Sequence, residues 1–184
     1  INKGHRFYTH TDSEVLVHGY EEYGSDLLIK LRGMFSFVIW DKTSKKLFGA
    51  RDFFGIKPMY YYKSEDNTFL FGSEIKGFLP HPKFKKEFNE EKLSDYLTFS
   101  CIPGEDTFFK NVYKLAPGHY FEYQNNKLNV HKYFDVSFDI QNDKSIDYFA
   151  DRISKTLEDS VYAHKISDVE VGCFLSGGVD SSIV

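Results

Sequence analysis

The sequence is poor in cysteine, in long apolar runs and in surplus positive charge, and each shortage excludes a class of protein. Cys101 and Cys173 are the only thiols in 184 residues, and their spacing suits neither a disulfide framework nor a zinc site. A reducing cytoplasm is therefore the expected setting. No apolar run approaches the roughly 20 residues that a membrane-spanning helix needs; the best, Phe35 to Trp40, has the length of a buried strand. Lys and Arg number 23 against 27 Asp and Glu, for a formal charge of −4, without the basic surplus of a dedicated nucleic-acid binder. The seven histidines, His5, His10, His18, His81, His119, His131 and His164, show no i, i+4 pair and no HExxH spacing, so metal ligation by them is not expected. What the chain does have is 41% hydrophobic residues, with 19 Phe and 13 Tyr against one Trp, a composition that predicts a folded, strand-rich protein. Its length suits one ordinary domain or parts of two.

Thr11 and Glu14 stand at capping-box spacing, and Leu16, Tyr20 and Tyr23 follow at helical intervals, which predicts a helix from Asp12 to Gly24. A second short helix is expected over Ser25 to Arg32. Met34 to Trp40, Lys46 to Arg51, Pro58 to Lys63 and Thr68 to Phe71 are short apolar or aromatic runs between turn-rich clusters, and read as an antiparallel meander. Leu79 to Glu87, with two prolines and several lysines, is expected to be an exposed connector at a domain boundary. Asn89 is a candidate cap for a short helix with Leu93, Tyr96 and Leu97; His119 to Tyr123 and Leu128 to Phe134 suit a hairpin. Ser145 opens the clearest helix, with Ile146, Phe149, Ile153, Leu157 and Val161 on one face. Val169 to Leu175 then reads as a buried strand, with Cys173 in the core, leading into a glycine loop and a new helix, the opening of a parallel α/β domain.

That loop, Ser176-Gly177-Gly178-Val179-Asp180-Ser181-Ser182, holds the most chemistry. Adjacent glycines after a strand let backbone amides approach an anion, and the following helix adds its positive end. The serine hydroxyls can donate to phosphate oxygens, and Asp180 offers an oxygen ligand to Mg²⁺. Without a lysine, the loop is not a Walker A sequence. A plain Gly-Gly turn is the alternative for the same residues.

Phe174-Leu175-Ser176-Gly177-Gly178-Val179-Asp180-Ser181-Ser182 resembles the pyrophosphate-binding loop of the N-type ATP pyrophosphatases, in particular of glutamine-dependent asparagine synthetases. Thr11-Asp12-Ser13-Glu14, Arg51 to Pro58 (RDFFGIKP) and Ser73-Glu74-Ile75-Lys76 resemble the second half of a class II glutamine amidotransferase domain, and the four segments follow the synthetase order. The resemblance implies an α+β to α/β chain: the second half of an N-terminal-nucleophile type αββα sandwich over residues 1–80, a connector with helix and hairpin over 81–140, and over 141–184 the first elements of a parallel-sheet adenine nucleotide alpha hydrolase-like domain. It implies ATP, Mg²⁺, L-glutamine and L-aspartate as cofactors and substrates, no nucleic acid or membrane partner, and is compatible with a homodimer. Asp12 would hold the α-amino group of glutamine. Leu175 would contact the nucleotide, the seven residues from Ser176 to Ser182 would cradle pyrophosphate, and Asp180 would bind Mg²⁺. For Asp12 the plain alternative is an acid in the first turn of a helix. For Arg51 to Pro58 a structural turn is expected and no catalysis, and Glu74 could equally be a surface acid. Cys101 has no activating neighbour in sequence and is expected to be a buried structural thiol.

Class II amidotransferases use a cysteine at the mature N-terminus, with its own α-amine as base. Both ends of this chain read as cuts: it opens at Ile1 and closes at Val184 without that cysteine, the glutamine-binding arginine, the oxyanion hole or the aspartate pocket. The 184 residues by themselves are expected neither to hydrolyse glutamine nor to make asparagine. Competing readings are a related enzyme acting on another carboxylate, such as a β-lactam synthetase or an enzyme of surface-polysaccharide clusters, and a non-catalytic module.

Overall fold

A computed structural model describes residues 4–183; Ile1 and Val184, the ends of the first and last expected segments, lie outside them. The chain divides into two compact units, residues 1–136 and 137–184.

The first unit opens with α1 (Asp12–Tyr23), which ends at Gly24 and passes into a 3₁₀ turn, Gly24–Lys30. Four strands follow: β1 (Ser36–Asp41), β2 (Lys46–Arg51), β3 (Tyr60–Lys63) and β4 (Phe69–Gly72). They do not form one meander. β1 pairs with β2 and β3 with β4, but the two hairpins belong to different antiparallel sheets, ordered β1-β2-β6-β7 and β4-β3-β5. The later strands are β5 (Val112–Lys114), β6 (His119–Gln124) and β7 (Lys127–Lys132). The reason for the split lies in the turn Arg51 to Pro58, described below, which carries the chain from one sheet to the other.

Strand alternation sorts the aromatic residues into three layers of core. Phe48 and Ala50 of β2 face one way and pack with Leu28, Tyr20 and Tyr120. Phe121 of β6 faces the other way, into the space between the sheets, with Met59, Tyr61, Leu115 and Phe69. Tyr62 of β3 and Val112 of β5 face the far side of the second sheet, against Phe78 and Phe84. The order is thus helix, sheet, sheet and an outer layer of 3₁₀ turn (Ile75–Phe78) and loop. Gly49 makes the central layer possible: it lies opposite Phe121 in the ladder, and a Cβ there would run into the Phe121 ring.

The expected boundary near residue 80 is not where the units part. Phe78 and Phe84, on either side of Pro80 and Pro82, are 3% and 7% exposed, so the lysine-rich stretch is a strap over a buried aromatic pair. α2 (Leu93–Phe99) follows a 3₁₀ turn, Glu90–Lys92, as expected, but Asn89 does not cap it; its side-chain amide donates to the Thr107 carbonyl at 3.4 Å. Cys101 is exposed, contrary to expectation, because α2 ends at Ser100 in a left-handed turn that leads out of the core.

The second unit holds α3 (Ile146–His164) and α4 (Val179–Ile183). Ser145 caps α3 as its sequence predicts: its hydroxyl accepts the Tyr148 N–H at 3.2 Å. Val169 to Leu175 joins no ladder, and Phe174 and Leu175 are 98% and 74% exposed. A parallel strand needs a neighbour to pair with, and the described residues of this unit include no strand; Cys173 is accordingly exposed rather than in a core.

Candidate functional site

Residues around the start of α1 form the first site. Thr11 occupies the N-cap position without a side-chain cap bond. Glu14 does not reach back to Thr11, as a capping box requires, but farther: its carboxylate accepts the backbone N–H groups of Tyr8 and Thr9, each at 2.7 Å, together with the Thr9 hydroxyl. The Thr9 hydroxyl and the Tyr8 amide, with smaller help from Thr9 N–H and His18, hold the Glu14 carboxyl down to about 2. The segment entering the helix is thereby tied to it, and Asp12, its first residue, stays exposed.

Asp12 lines a cleft of about 660 Å³ that also takes in the 30–37 segment, Lys57, Pro58 and Ser73. The structure thus brings together three of the four sequence segments singled out above. From the last of them it contributes Ser73 to the cleft wall, not Glu74, which is paired on the surface with Lys76 at 2.5 Å. The cleft offers a carboxylate at Asp12 and cationic groups at Lys30, Arg32 and Lys57, the two signs of charge that a zwitterionic amino acid presents in reverse.

Arg51 to Pro58 forms the floor of this arrangement and is structural, as expected. Asp52 is 2% exposed, and its carboxylate accepts the backbone N–H groups of Phe54, Ile56 and Lys57 at 3.2, 3.0 and 2.9 Å. The Arg51 guanidinium donates to the carbonyls of Lys57, Leu115 and Gly55 at 2.8, 2.6 and 2.6 Å; its burial pulls its pKa below the usual arginine value. Tyr133 donates to the Arg51 carbonyl at 2.7 Å, and burial raises that phenol well above its ordinary range. The sequence places Asp52 in an Arg-Asp pair beside a Gly/Pro turn, and an aspartate ahead of such a turn is the Asx-turn signal that the structure realises.

The second site is the loop from Ser176 to Ser182. Gly177 has φ +78°, a backbone conformation that disfavours a side chain, although a Cβ there would meet nothing within 4 Å; glycine serves the turn and leaves its outer side open. The Ser176 and Ser181 hydroxyls lie 2.9 Å apart, and Ser182 Oγ donates to the Gly178 carbonyl at 2.8 Å. Asp180 is exposed in the first turn of α4. Clustered hydroxyls, an open glycine backbone and a free-standing carboxylate are hard oxygen and amide donors, and fit a phosphate chain with its Mg²⁺. Val179 is also exposed.

One cluster eluded sequence reading altogether. The rings of His5 and His18 lie 4.7 Å apart, with Glu21 beside both; the pair spans segments too far apart for local spacing to show, and only His18 and Glu21, three apart on α1, left a trace.

A family profile described as a glutamine amidotransferase domain matches residues 1–134, and the chain belongs to that family. A second profile, asparagine synthase, matches residues 152–184. Among curated proteins, the chain is 38% identical over 187 residues to asparagine synthetase [glutamine-hydrolyzing] 3 of Bacillus subtilis (strain 168), covering 99% of this chain and 30% of that protein. It is 39% identical over 187 residues to asparagine synthetase [glutamine-hydrolyzing] 1 of the same organism, covering 99% of this chain and 28% of that one. The chain therefore spans less than a third of the length of these relatives. A solved structure of glutamine phosphoribosylpyrophosphate amidotransferase from B. subtilis, in complex with ADP and GMP, matches 72% of this chain and 25% of its own at 17% identity and a TM-score of 0.48.

Proposed function

We propose that the chain carries the second half of the glutaminase domain, and the opening of the ATP-dependent domain, of a glutamine-hydrolysing asparagine synthetase. The reaction is ATP + L-aspartate + L-glutamine + water to AMP + pyrophosphate + L-asparagine + L-glutamate, through β-aspartyl-AMP. The observation that carries this reading is the presence in one chain, in order, of an amidotransferase match over residues 1–134 and an asparagine synthase match over 152–184. On this reading the layered first unit is part of an N-terminal-nucleophile αββα sandwich, and the second unit begins an adenine nucleotide alpha hydrolase-like domain.

The chemistry follows from the residues. A carboxylate resists attack by ammonia until it carries a good leaving group, and adenylation supplies one. Asp12, exposed at the mouth of its cleft, pairs with the α-ammonium of glutamine and so orients the side-chain amide. Amides and hydroxyls of Ser176 to Ser182 hold the pyrophosphate half of ATP, Leu175 lies against the nucleotide, and Asp180 would hold Mg²⁺, which when bound would supply positive charge beside the phosphates. The test is pyrophosphate release by the full-length protein supplied with ATP, Mg²⁺ and aspartate, with ammonia or glutamine as nitrogen donor. Release that depends on aspartate supports the assignment; release that needs a different carboxylate moves the protein to another branch of the superfamily.

A further inference from the structure

The segment before α1 and the outer face of that helix bring His5, His18 and Glu21 together, with one ligand atom from each inside a 4.8 Å circle. Their orientation is specific. Glu21 Oε2 stands 3.5 Å from His5 Nδ1 and 3.0 Å from His18 Nδ1, so both imidazoles aim the same ring nitrogen at one carboxylate oxygen. Their opposite nitrogens face two further carboxylates: His5 Nε2 is 2.8 Å from Glu22 Oε1 and His18 Nε2 is 3.6 Å from Glu14 Oε1.

A neutral imidazole carries one N–H. On His5 the proton belongs on Nε2, toward Glu22 at 2.8 Å, which leaves that ring's Nδ1 lone pair facing the Glu21 oxygen. His18 directs Nδ1 to the same oxygen at 3.0 Å, a hydrogen bond that a cation among the three atoms would replace once the His18 proton is released or moved to Nε2. Two imidazole nitrogens and a carboxylate are the donors of a zinc-class ion, whereas Mg²⁺ and Ca²⁺ prefer oxygen alone. With metal–ligand bonds of about 2.0–2.2 Å, tetrahedral ligands sit about 3.3 Å apart; the two contacts to Glu21, 3.0 and 3.5 Å, bracket that spacing, and the set as a whole lies within 4.8 Å, so ion binding would draw the two imidazoles together by side-chain rotation. Carboxylates behind metal-bound histidines fix ring tautomer and orientation, which is the place that Glu22 and Glu14 occupy. Phe7 lies edge-on to the His18 ring at 4.8 Å, and Glu21 is exposed, which leaves the third ligand open to solvent.

We propose that His5 Nδ1, His18 Nδ1 and Glu21 Oε2 form a binding site for a divalent transition-metal ion, with zinc as the natural occupant and water in the fourth position. The ion fastens the segment ahead of α1 to the helix one turn beyond the Glu14 clamp. Its role is structural, and the site stands whether or not the synthetase reading does.

The test uses full-length protein stripped with a chelator and titrated with Co²⁺, whose visible absorption reports four- or five-coordinate nitrogen and oxygen ligation. We expect one Co²⁺ per chain at this site, displaced by Zn²⁺, with binding weakened at least about 100-fold in His18→Gln and in His5→Gln. Glu22→Gln, which leaves all three ligands in place, is expected to weaken it about 10–100-fold and serves if a ligand variant loses its far-ultraviolet circular dichroism. Binding that is unchanged in the His5→Gln and Glu22→Gln proteins overturns the proposal. So does a wild-type protein that takes up no Co²⁺ at micromolar concentration.

Discussion

The cleft at Asp12 and the loop at Ser176 are built by opposite means. The cleft draws its walls from four separated segments, and they meet because two sheets, a helix and a buried turn hold them there. The loop is made of seven consecutive residues in a unit where no described residue is buried. A pocket assembled from distant side chains needs a core beneath it, whereas a glycine loop needs only backbone conformation and is complete in its local sequence. The first site is therefore sensitive to changes far from it, and the second to changes within it.

The widest contrast is expected between two phenylalanines. In the 184-residue chain, Phe121→Ala empties the space between the sheets and should lower stability by about 3–5 kcal/mol, since Phe121 is fully buried. Phe174→Ala, at a side chain 98% exposed, should change it by less than about 0.5 kcal/mol. Urea titration followed by tyrosine fluorescence measures both, and equal losses would break the comparison. Next come two aspartates. Asp52→Ala strands three backbone N–H groups in a buried turn and should cost about 3 kcal/mol, while Asp180→Ala should leave the unfolding midpoint in place. A smaller effect, about 1 kcal/mol, is expected from Ser145→Ala, which removes the cap of α3; amide exchange should quicken in that helix and stay unchanged in the β-strands.

The smallest effect concerns pH. The Glu14 carboxyl is held at about 2 against an ordinary 4.5, so the folded state favours its charged form. The stabilisation is fully present above the ordinary value and is lost as pH falls from about 4.5 toward 2. Amide exchange at Tyr8 and Thr9 should accelerate across that window in the native protein and show no such step in Glu14→Gln. A flat profile in both would place the clamp elsewhere.

Local signals in the sequence were legible. β2 runs over Lys46–Arg51 as its apolar run predicts, the β6–β7 hairpin forms about its Gln124 to Lys127 turn, and Ser145 caps α3. Long-range partners were not. Periodicity says that Phe48 faces a core but not that β2 will pair with β6, and it cannot reveal that Phe78 and Phe84 lie buried beneath prolines and lysines. Thr11 illustrates the same limit at short range, because the capping pattern is present while Glu14 finds better donors at Tyr8 and Thr9. Asp12 and the Ser176 to Ser182 loop stood out by motif; Ser73 and Lys57 joined the cleft only when the fold brought them there.

The split of the two hairpins between sheets has a consequence in time. As the chain leaves the ribosome, β1–β2 and β3–β4 can each close early, but neither sheet acquires its third strand until β5 and β6 emerge. Lys46 and its ion-pair partner Glu122 are 76 positions apart, and at roughly 5–20 residues per second that separation amounts to several seconds of synthesis. Through that interval two aromatic hairpins wait with open edges, and one short stretch of newly made chain completes both sheets.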